Sequence, residues 1–190
     1  NSSIKLNNIS YRYDNNKNYI LRNLDLTIKK NSIIGIVGAS GSGKTTLIDI
    51  IVGLILKREG DLIIDDVTIN KDNIELYQKN IGYLPQILYL FDNSIRQNIA
   101  IDEEGGESYN QENYHLIINL IKKLKLEKII NDNNKGIDEQ VGENAIRLSG
   151  GQKQRLGIAR LLYHDRDIMV FDEATSALDK ETEKEVFEII

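Results

Sequence analysis

Residues 38–45 read Gly-Ala-Ser-Gly-Ser-Gly-Lys-Thr, and this stretch decides the fold. Its spacing is G-x-x-x-x-G-K-T, in which glycines let backbone N–H groups converge on phosphate oxygens. Before it, Ile33–Val37 is a short apolar run typical of a strand buried on both faces of a parallel sheet. After it, Thr45–Val52 is predicted to be a helix with Gly53 as its C-cap. This order predicts an α/β fold with a phosphate-binding loop.

The residue types of this loop suit a nucleotide and a metal ion. We expect Lys44 to reach the β- and γ-phosphates and the Thr45 hydroxyl to ligate Mg²⁺. The helix that follows adds the partial positive charge of its N-terminus. The predicted nucleotide-binding residues are Gly38, Ala39, Ser40, Gly41, Ser42, Gly43, Lys44, Thr45 and Thr46.

A second segment, Ile168-Met169-Val170-Phe171-Asp172-Glu173, ends an apolar run with two carboxylates. The run over Asp167–Phe171 predicts a strand, and side chains at the carboxyl ends of such strands line the ligand crevice of α/β folds. Asp172 is the natural partner of Mg²⁺, directly or through water. Glu173 can act as the general base on the attacking water. Taken alone, the two acids could instead only start a turn or cap a helix.

The third segment is Leu148-Ser149-Gly150-Gly151-Gln152, at the predicted start of a helix over Ser149–His164. Ser-x-x-Gln is the pattern of a capping box, so the segment could serve only to begin the helix. Two consecutive glycines are costly there unless another molecule approaches the backbone closely. A helix N-terminus with free N–H groups binds anions, which favours a γ-phosphate held by a partner. Both roles are compatible.

The remaining sequence predicts a small antiparallel sheet and a helical insertion. The segments with strand-like patterns are Ile4–Leu6, Ile9–Tyr13, Leu24–Ile28 and Leu62–Ile64. Asn113–Ile130 has Leu and Ile at helical spacing, with Lys122, Lys123 and Lys125 toward water. We predict an ATPase core with its β-subdomain over residues 1–91 and 146–190, and a helical subdomain over 92–145.

Composition narrows the class of protein. The 190 residues carry a net charge of −5 and no cysteine, which argues against a nucleic-acid partner and against disulfides. The longest apolar run, Leu47–Leu56, includes Asp49 and is too short to span a bilayer.

These motifs together resemble those of ATP-binding-cassette nucleotide-binding domains over essentially the whole chain. The loop at residues 38–45 matches the Walker A motif, residues 168–173 match Walker B with its catalytic glutamate, and residues 148–152 match the family signature. The resemblance implies an ATPase in which ATP and Mg²⁺ lie between two copies of the domain, most simply a homodimer.

The resemblance also assigns roles to residues outside these motifs. It implies that Gln86 approaches Mg²⁺ and the attacking water, and that Tyr13 stacks on adenine, with Tyr11 as the fallback. With Lys44 and Glu173, Gln86 completes the predicted catalytic set. The predicted dimer-interface loop is Ser176, Ala177, Leu178 and Asp179.

Two stretches resemble those of exporters in this family. Residues 90–100 and Val141-Gly142-Glu143 look like regions that contact transmembrane domains. The implied coupling residues are Leu90, Phe91, Val141, Gly142 and Glu143. We therefore expect an exporter-type domain at the cytoplasmic face of the plasma membrane, with transmembrane domains fused upstream.

The chain departs from the family pattern at two places. Asp65-Asp66 stands where many relatives have Asp-Gly in a hairpin, and Asp tolerates the left-handed region. The family has a switch histidine beyond the Walker B strand, and the sequence ends at Ile190 before that position. The two histidines of the chain, His115 and His164, are not in its position. We therefore expect the chain to be truncated at its C-terminus and to turn over ATP weakly or not at all by itself.

Two other functions remain open at this point. One is a soluble member of the superfamily acting on nucleic acid or ribosomes. Lys44 and Ser149 are separated by too short a stretch, without sustained heptads, for the long coiled coil of chromosome-maintenance ATPases. The other is a domain that binds ATP and dimerises without hydrolysis. The presence of Lys44, Asp172 and Glu173 argues against it.

Overall fold

The computed structural model describes residues 3–14, 17–56, 59–101, 111–131, 135–142 and 148–172, with Lys180, Lys184, Phe187 and Glu188. The chain divides into an N-terminal unit, Asn1–Ile81, and a C-terminal unit, Gly82–Ile190. The sequence also predicts a helix that begins at Thr182, and almost all of its residues lie outside the described ones. None of the described helices has both the length and the apolar character needed to cross a membrane.

The N-terminal unit contains the predicted antiparallel sheet. Its strands are β1 (Ser3–Tyr11), β2 (Leu21–Lys29), β3 (Glu59–Ile64) and β4 (Val67–Thr68), in the order β2-β1-β3-β4. Leu6 of β1 is paired with Leu26 on one side and Leu62 on the other. This register places the three leucine side chains on one face of the sheet, where Leu6 and Leu62 are buried.

The hairpin between β3 and β4 is closed by Asp65 and Asp66, which adopt φ of 50° and 68°. Two positive φ angles in a two-residue loop define the type I′ turn, whose twist matches that of the strands. The Asp65 carboxylate accepts from the Ser3 backbone N–H at 2.7 Å, and Asp66 accepts from Lys5 Nζ at 2.9 Å. Asp66 stands at the position where glycine is usual in this turn, and both aspartates bond to residues of β1.

Helix α1 (Lys44–Ile51) begins at the glycine loop and ends in a Schellman motif. Gly53 has φ of 76°, its N–H donates to Ile50 O at 3.1 Å, and the Leu54 N–H donates to Asp49 O at 2.8 Å. This confirms the helix and its glycine end. A Cβ at Gly53 would also collide with Ile74, the first residue of helix α2 (Ile74–Gln78).

Side chains of α2 bond to carbonyl groups at the C-terminal end of α1 and just beyond it. The buried Tyr77 hydroxyl donates to Ile51 O at 2.7 Å, and Gln78 Nε2 donates to Gly53 O at 3.2 Å. Burial raises the pKa of Tyr77 well above its ordinary value. The neutral hydroxyl is therefore the form that holds the end of the helix after the glycine loop.

The strand predicted over Ile33–Val37 is not formed. Ile33 is 98% exposed and Val37 is 92% exposed. A strand needs a neighbour for its backbone groups, and the described strands of the N-terminal unit pair only within the antiparallel sheet. An apolar run predicts burial, but the pairing partner is not encoded in the run itself. The parallel sheet stays a prediction.

The C-terminal unit has a two-stranded sheet of β5 (Ile81–Leu84), which begins at the unit boundary, and β6 (Ile168–Phe171). Its helices are α3 (Ile95–Ile99), α4 (Gln111–Lys123), α5 (Glu127–Asn131) and α6 (Gly150–Tyr163), with a 3₁₀ turn at Gly136–Asp138. Their apolar faces meet in one core that includes Ile99, Ile121 and Leu156. The predictions for β6 and α6 are confirmed.

The helical pattern predicted over Asn113–Ile130 is formed as two helices. Lys125 adopts φ of 52° after α4, its N–H donates to Lys122 O at 3.1 Å, and the Leu126 N–H donates to Ile121 O at 2.9 Å. This is a second Schellman motif, with lysine in the position that glycine usually takes. The turn lets Leu126 enter the core while Lys125 stays in water, as predicted.

Candidate nucleotide-binding site

The glycine loop enters α1 through a left-handed residue. Gly43 is the N-cap, with φ of 92° and ψ of 14°. A Cβ at this position would lie 2.7 Å from Ile20 Cγ2, so both the backbone angle and the space require glycine. The Ser42 N–H donates to Ala39 O at 3.2 Å and closes the loop on itself. The sequence pattern thus gives a compact, exposed loop at a helix N-terminus.

The ammonium of Lys44 lies over this loop. Its Nζ donates to Gly38 O and to Ala39 O, each at 3.0 Å. Carbonyl oxygens are weaker partners for a cation than phosphate oxygens are. The lysine is therefore held beside the loop by bonds that an incoming anion can replace. The site fits a phosphate group by its donor set: an ammonium, a helix N-terminus and loop N–H groups.

Tyr13 and Thr46 are linked in the same unit. Thr46 is buried on α1, and its Oγ1 lies 3.2 Å from the Tyr13 hydroxyl. Tyr13 is 45% exposed, and its ring meets that of Tyr11 edge to face, at 5.1 Å between ring centroids. An exposed aromatic ring tethered by its hydroxyl can stack on a flat ligand. Thr45, the predicted metal ligand, is exposed.

The other predicted catalytic and metal residues belong to the C-terminal unit. Asp172 follows β6, is buried, and donates its backbone N–H to Leu84 O at 3.0 Å. Its Oδ2 lies 3.5 Å from the Tyr83 hydroxyl, at the outer limit of hydrogen bonding. Gln86 is exposed, and Glu173 lies outside the described residues. Hydroxyl, amide and carboxylate oxygens are the ligands that Mg²⁺ prefers, so Thr45, Gln86 and Asp172 suit this ion by type.

The signature segment forms the capping box that its pattern predicts. Ser149 is the N-cap of α6; its Oγ accepts from the Gln152 N–H at 3.3 Å, and Gln152 Oε1 accepts from the Ser149 N–H at 2.8 Å. The first intrahelical bond runs from the Lys153 N–H to Ser149 O. The box therefore uses two of the N–H groups at this end and leaves those of Gly150 and Gly151 pointing out of the helix.

The predicted coupling residues differ in exposure. Leu90 and Val141 are 2% and 3% exposed, so their side chains belong to the core. Phe91 is 44% exposed, and its neighbours Ile87 and Tyr89 are more exposed still. Glu143 and the predicted dimer-interface residues, Ser176 to Asp179, lie outside the described residues. The exposed large apolar residues between Gln86 and Asn93 are therefore Ile87, Tyr89 and Phe91.

Sequence reasoning did not single out Asn98 and Arg160. Asn98 is fully buried, and Arg160 donates to its backbone and side chain. A signal was present for the arginine: in α6 it follows Leu156 by four residues, on the face that enters the core. A charged residue on a buried stripe predicts a specific polar partner.

Comparison with known proteins gives the family. The ABC transporter family model matches residues 21–176. The ATP-dependent lipid A-core flippase of Bordetella avium is 36% identical over 96% of this chain and 30% of its own length. The mitochondrial iron-sulfur clusters transporter ATM1 of Debaryomyces hansenii is 38% identical over 98% of this chain and 26% of its own length.

A solved structure agrees with the sequence relatives. A bacterial Atm1-family ABC exporter with ATP bound matches 98% of this chain and 32% of its own chain, with a TM-score of 0.85 and 32% identity. The chain therefore belongs to the ABC transporter family, as the sequence motifs predict. It spans about a third or less of the length of these relatives.

Proposed function

We propose that this chain is the ATP-binding and ATP-hydrolysing domain of an exporter-type ABC transporter, and that it powers movement of a substrate across a membrane. The observation that carries the proposal is the loop at Gly38–Thr45, where Lys44 lies within 3.0 Å of two loop carbonyls at the N-terminus of α1. The relatives named as a flippase and an exporter support the transport role.

The roles follow from the chemistry of each residue. Lys44 and the loop N–H groups bind phosphate oxygens, and Tyr13 stacks on adenine. Thr45, Gln86 and Asp172 would hold Mg²⁺, which when bound neutralises phosphate charge. Glu173 takes the proton of the attacking water.

The exposed start of α6 binds the nucleotide held by a second copy. Its N-cap Ser149 and the N–H groups of Gly150 and Gly151 are the donors, and the positive end of α6 favours the phosphate charge. The residues at 176–179 line the same interface. Because one chain carries the Walker A, Walker B and signature motifs together, a homodimer supplies them to both sites.

The domain then lies at the cytoplasmic face of the membrane, where its exposed residues Tyr89 and Phe91 and the half-buried Gly142 face the transmembrane domains. Glu143 completes this contact. To shift a domain pair almost completely from open to closed, ATP must favour the closed state by about 5 kcal/mol.

The test is ATP binding and hydrolysis by the full-length gene product. We expect Lys44→Ala to weaken ATP binding at least tenfold, about 1.4 kcal/mol, because a cationic contact to phosphate is lost. We expect Glu173→Gln to keep ATP binding and to slow hydrolysis by a factor of about 10² or more. The matched controls are Lys123→Ala and Glu188→Gln, since both residues are exposed on other helices. ATP binding that survives Lys44→Ala unchanged would contradict the proposal.

A further inference from the structure

Asn98 is the centre of a buried polar cluster in the C-terminal unit. Its Nδ2 donates to Phe91 O at 3.0 Å and to Ser94 O at 3.1 Å, and its Oδ1 accepts from the Phe91 N–H at 2.9 Å. The side chain is 0% exposed. These bonds hold the turn at residues 89–93 against α3.

Arg160 connects this cluster to α6. Its Nε donates to Asn98 O at 2.8 Å, its Nη2 donates to Asn98 Oδ1 at 3.3 Å, and its Nη1 donates to Tyr89 O at 3.2 Å. Asn98 O is one of the last carbonyls of α3, which no intrahelical N–H reaches. A planar guanidinium can serve all three acceptors at once, whereas an ammonium cannot match this fork.

The positive charge of Arg160 is stabilised by the backbone carbonyl groups of Asn98 and Tyr89. Among the described residues, Arg160 has no carboxylate within ion-pair distance, and burial lowers its pKa. Its guanidinium carbon lies 5.8 Å from the centroid of the Phe91 ring. An apolar side chain would fill this space without a desolvation cost, but it could not form the bonds by which Arg160 joins Asn98 and Tyr89 to α6.

The two joined elements have different exposed features. The turn presents Tyr89 and Phe91 to solvent, 62% and 44% exposed. Helix α6 carries the N–H groups of Gly150 and Gly151 about 15 Å from Arg160, at 1.5 Å per residue. Helix α6 also packs closely against the residue just before the turn, since a Cβ at Gly157 would lie 2.6 Å from Leu88.

We propose that Asn98 and Arg160 are positioning residues that make the Tyr89–Phe91 turn and helix α6 move as one body. A ligand bound at the start of α6 then shifts the position of the exposed Tyr89 and Phe91 side chains together with that helix. This rests on the proposed function, which supplies ATP as that ligand. Neither residue contacts the nucleotide: each acts through the polar link between the two elements.

The experiment is hydrogen–deuterium exchange of the full-length gene product, with and without ATP and Mg²⁺, over peptides 87–93 and 148–153. In the wild type we expect ATP to slow exchange in both peptides. In Arg160→Met we expect the effect at 148–153 to remain and the effect at 87–93 to fall about fivefold or more, which is the lower end of typical coupling between two sites. Arg160→Lys, which keeps the charge but not the fork, should lie between these two.

The matched control is Arg155→Met on the same helix. Arg155 donates to Gly151 O and Lys125 O and does not reach the Tyr89–Phe91 turn. We expect its ATP effect at 87–93 to equal that of the wild type. Unchanged exchange of α4 and unchanged ATP affinity in the Arg160 variants separate positioning from general damage to the fold.

The outcomes distinguish the two proposals. If ATP slows both peptides equally in the wild type, Arg160→Met and Arg160→Lys, the positioning role is overturned and the proposed function stands. If Arg160→Met unfolds α4, the Arg160→Lys variant is used instead. An ATP effect on peptide 87–93 in Arg160→Lys equal to that of the wild type then overturns the positioning role. If ATP changes neither peptide in the wild type, the proposed function fails and the positioning role fails with it.

Discussion

Two helices of the C-terminal unit begin with the same capping chemistry in different surroundings. Ser94 caps α3 and Ser149 caps α6; both have φ of −66°, with ψ of 163° and 160°, and each forms a capping box with a glutamine three residues later. Ser94 is 5% exposed, whereas Ser149 is exposed. The residues inside the box are Ile95 and Arg96 in α3, and Gly150 and Gly151 in α6.

The first N–H of each helix shows what this difference means. The Ile95 N–H donates to Glu139 O at 3.0 Å, so the start of α3 is joined to the rest of the unit. The Gly150 N–H has no partner within the part of the chain that the structure describes. The pattern Ser-x-x-Gln therefore specifies a helix start, and the two residues inside it decide whether that start is buried structure or a surface that accepts a ligand.

The largest expected effect comes from disrupting the buried polar cluster beside the start of α3. Asn98→Leu removes the buried amide that bonds to Phe91 and Ser94, and it leaves the Phe91 N–H without its acceptor. We expect the free energy of unfolding to fall by about 3 kcal/mol or more. Urea unfolding measures it, with the exposed Asn119→Leu as the control, expected within about 0.5 kcal/mol of the wild type. Equal losses in the two variants would contradict the role of the buried amide.

The two capping serines give the next test. Ser94→Ala should lower the free energy of unfolding by about 2 kcal/mol, because its cap is buried, and Ser149→Ala by about 1 kcal/mol or less. ATP-dependent protection of residues 148–153 should weaken only in Ser149→Ala. Thermal unfolding and hydrogen exchange on the same samples measure both effects. Identical behaviour of the two variants would remove the distinction between a structural and a functional cap.

Gly151→Ala separates stability from function at the exposed start. Alanine favours the helix over glycine by up to about 1 kcal/mol, so we expect the protein to be as stable as the wild type or slightly more so. The added methyl group hinders close approach to the backbone, so ATP-dependent protection of 148–153 should decrease. Full protection in this variant would show that nothing approaches the backbone there.

The smallest expected effect concerns the ion pair between Arg96 and Asp138, beside the buried start of α3. Arg96 Nε lies 2.8 Å from Asp138 Oδ1, and both side chains are partly exposed. Such pairs contribute about 0–1 kcal/mol, so Arg96→Ala should cost little, and 1 M salt should abolish the difference from the wild type. A double-mutant cycle with Asp138→Ala measures the pair. A coupling well above this range would mean that α3 is held by charge as much as by its cap.

Local chemistry made much of this chain predictable. The alternating strands, the Gly53 helix end, the Asp65-Asp66 turn and the capping box at Ser149 all follow from the preferences of a few neighbouring residues. The exposed Ile33–Val37 segment shows the limit, because strand formation depends on a partner elsewhere in the chain.

The sequence did not predict two other features, because each has a residue type that is uncommon at its structural position. Lys125 ends α4 where glycine is expected, so the pattern alone predicted one longer helix. Arg160 stands on a buried face, and its three acceptors come from residues some 60–70 positions earlier in the chain. Long-range partners of this kind cannot be read from spacing within a helix.

The most direct test compares the starts of α3 and α6 in the full-length gene product by hydrogen exchange with ATP and Mg²⁺. We predict that ATP slows exchange at Gly150 and Gly151, leaves Ile95 unchanged, and has no effect on any of them in Lys44→Ala. ATP binding without any change at Gly150 and Gly151 would contradict it, since the exposed capping box would then be only the beginning of a helix.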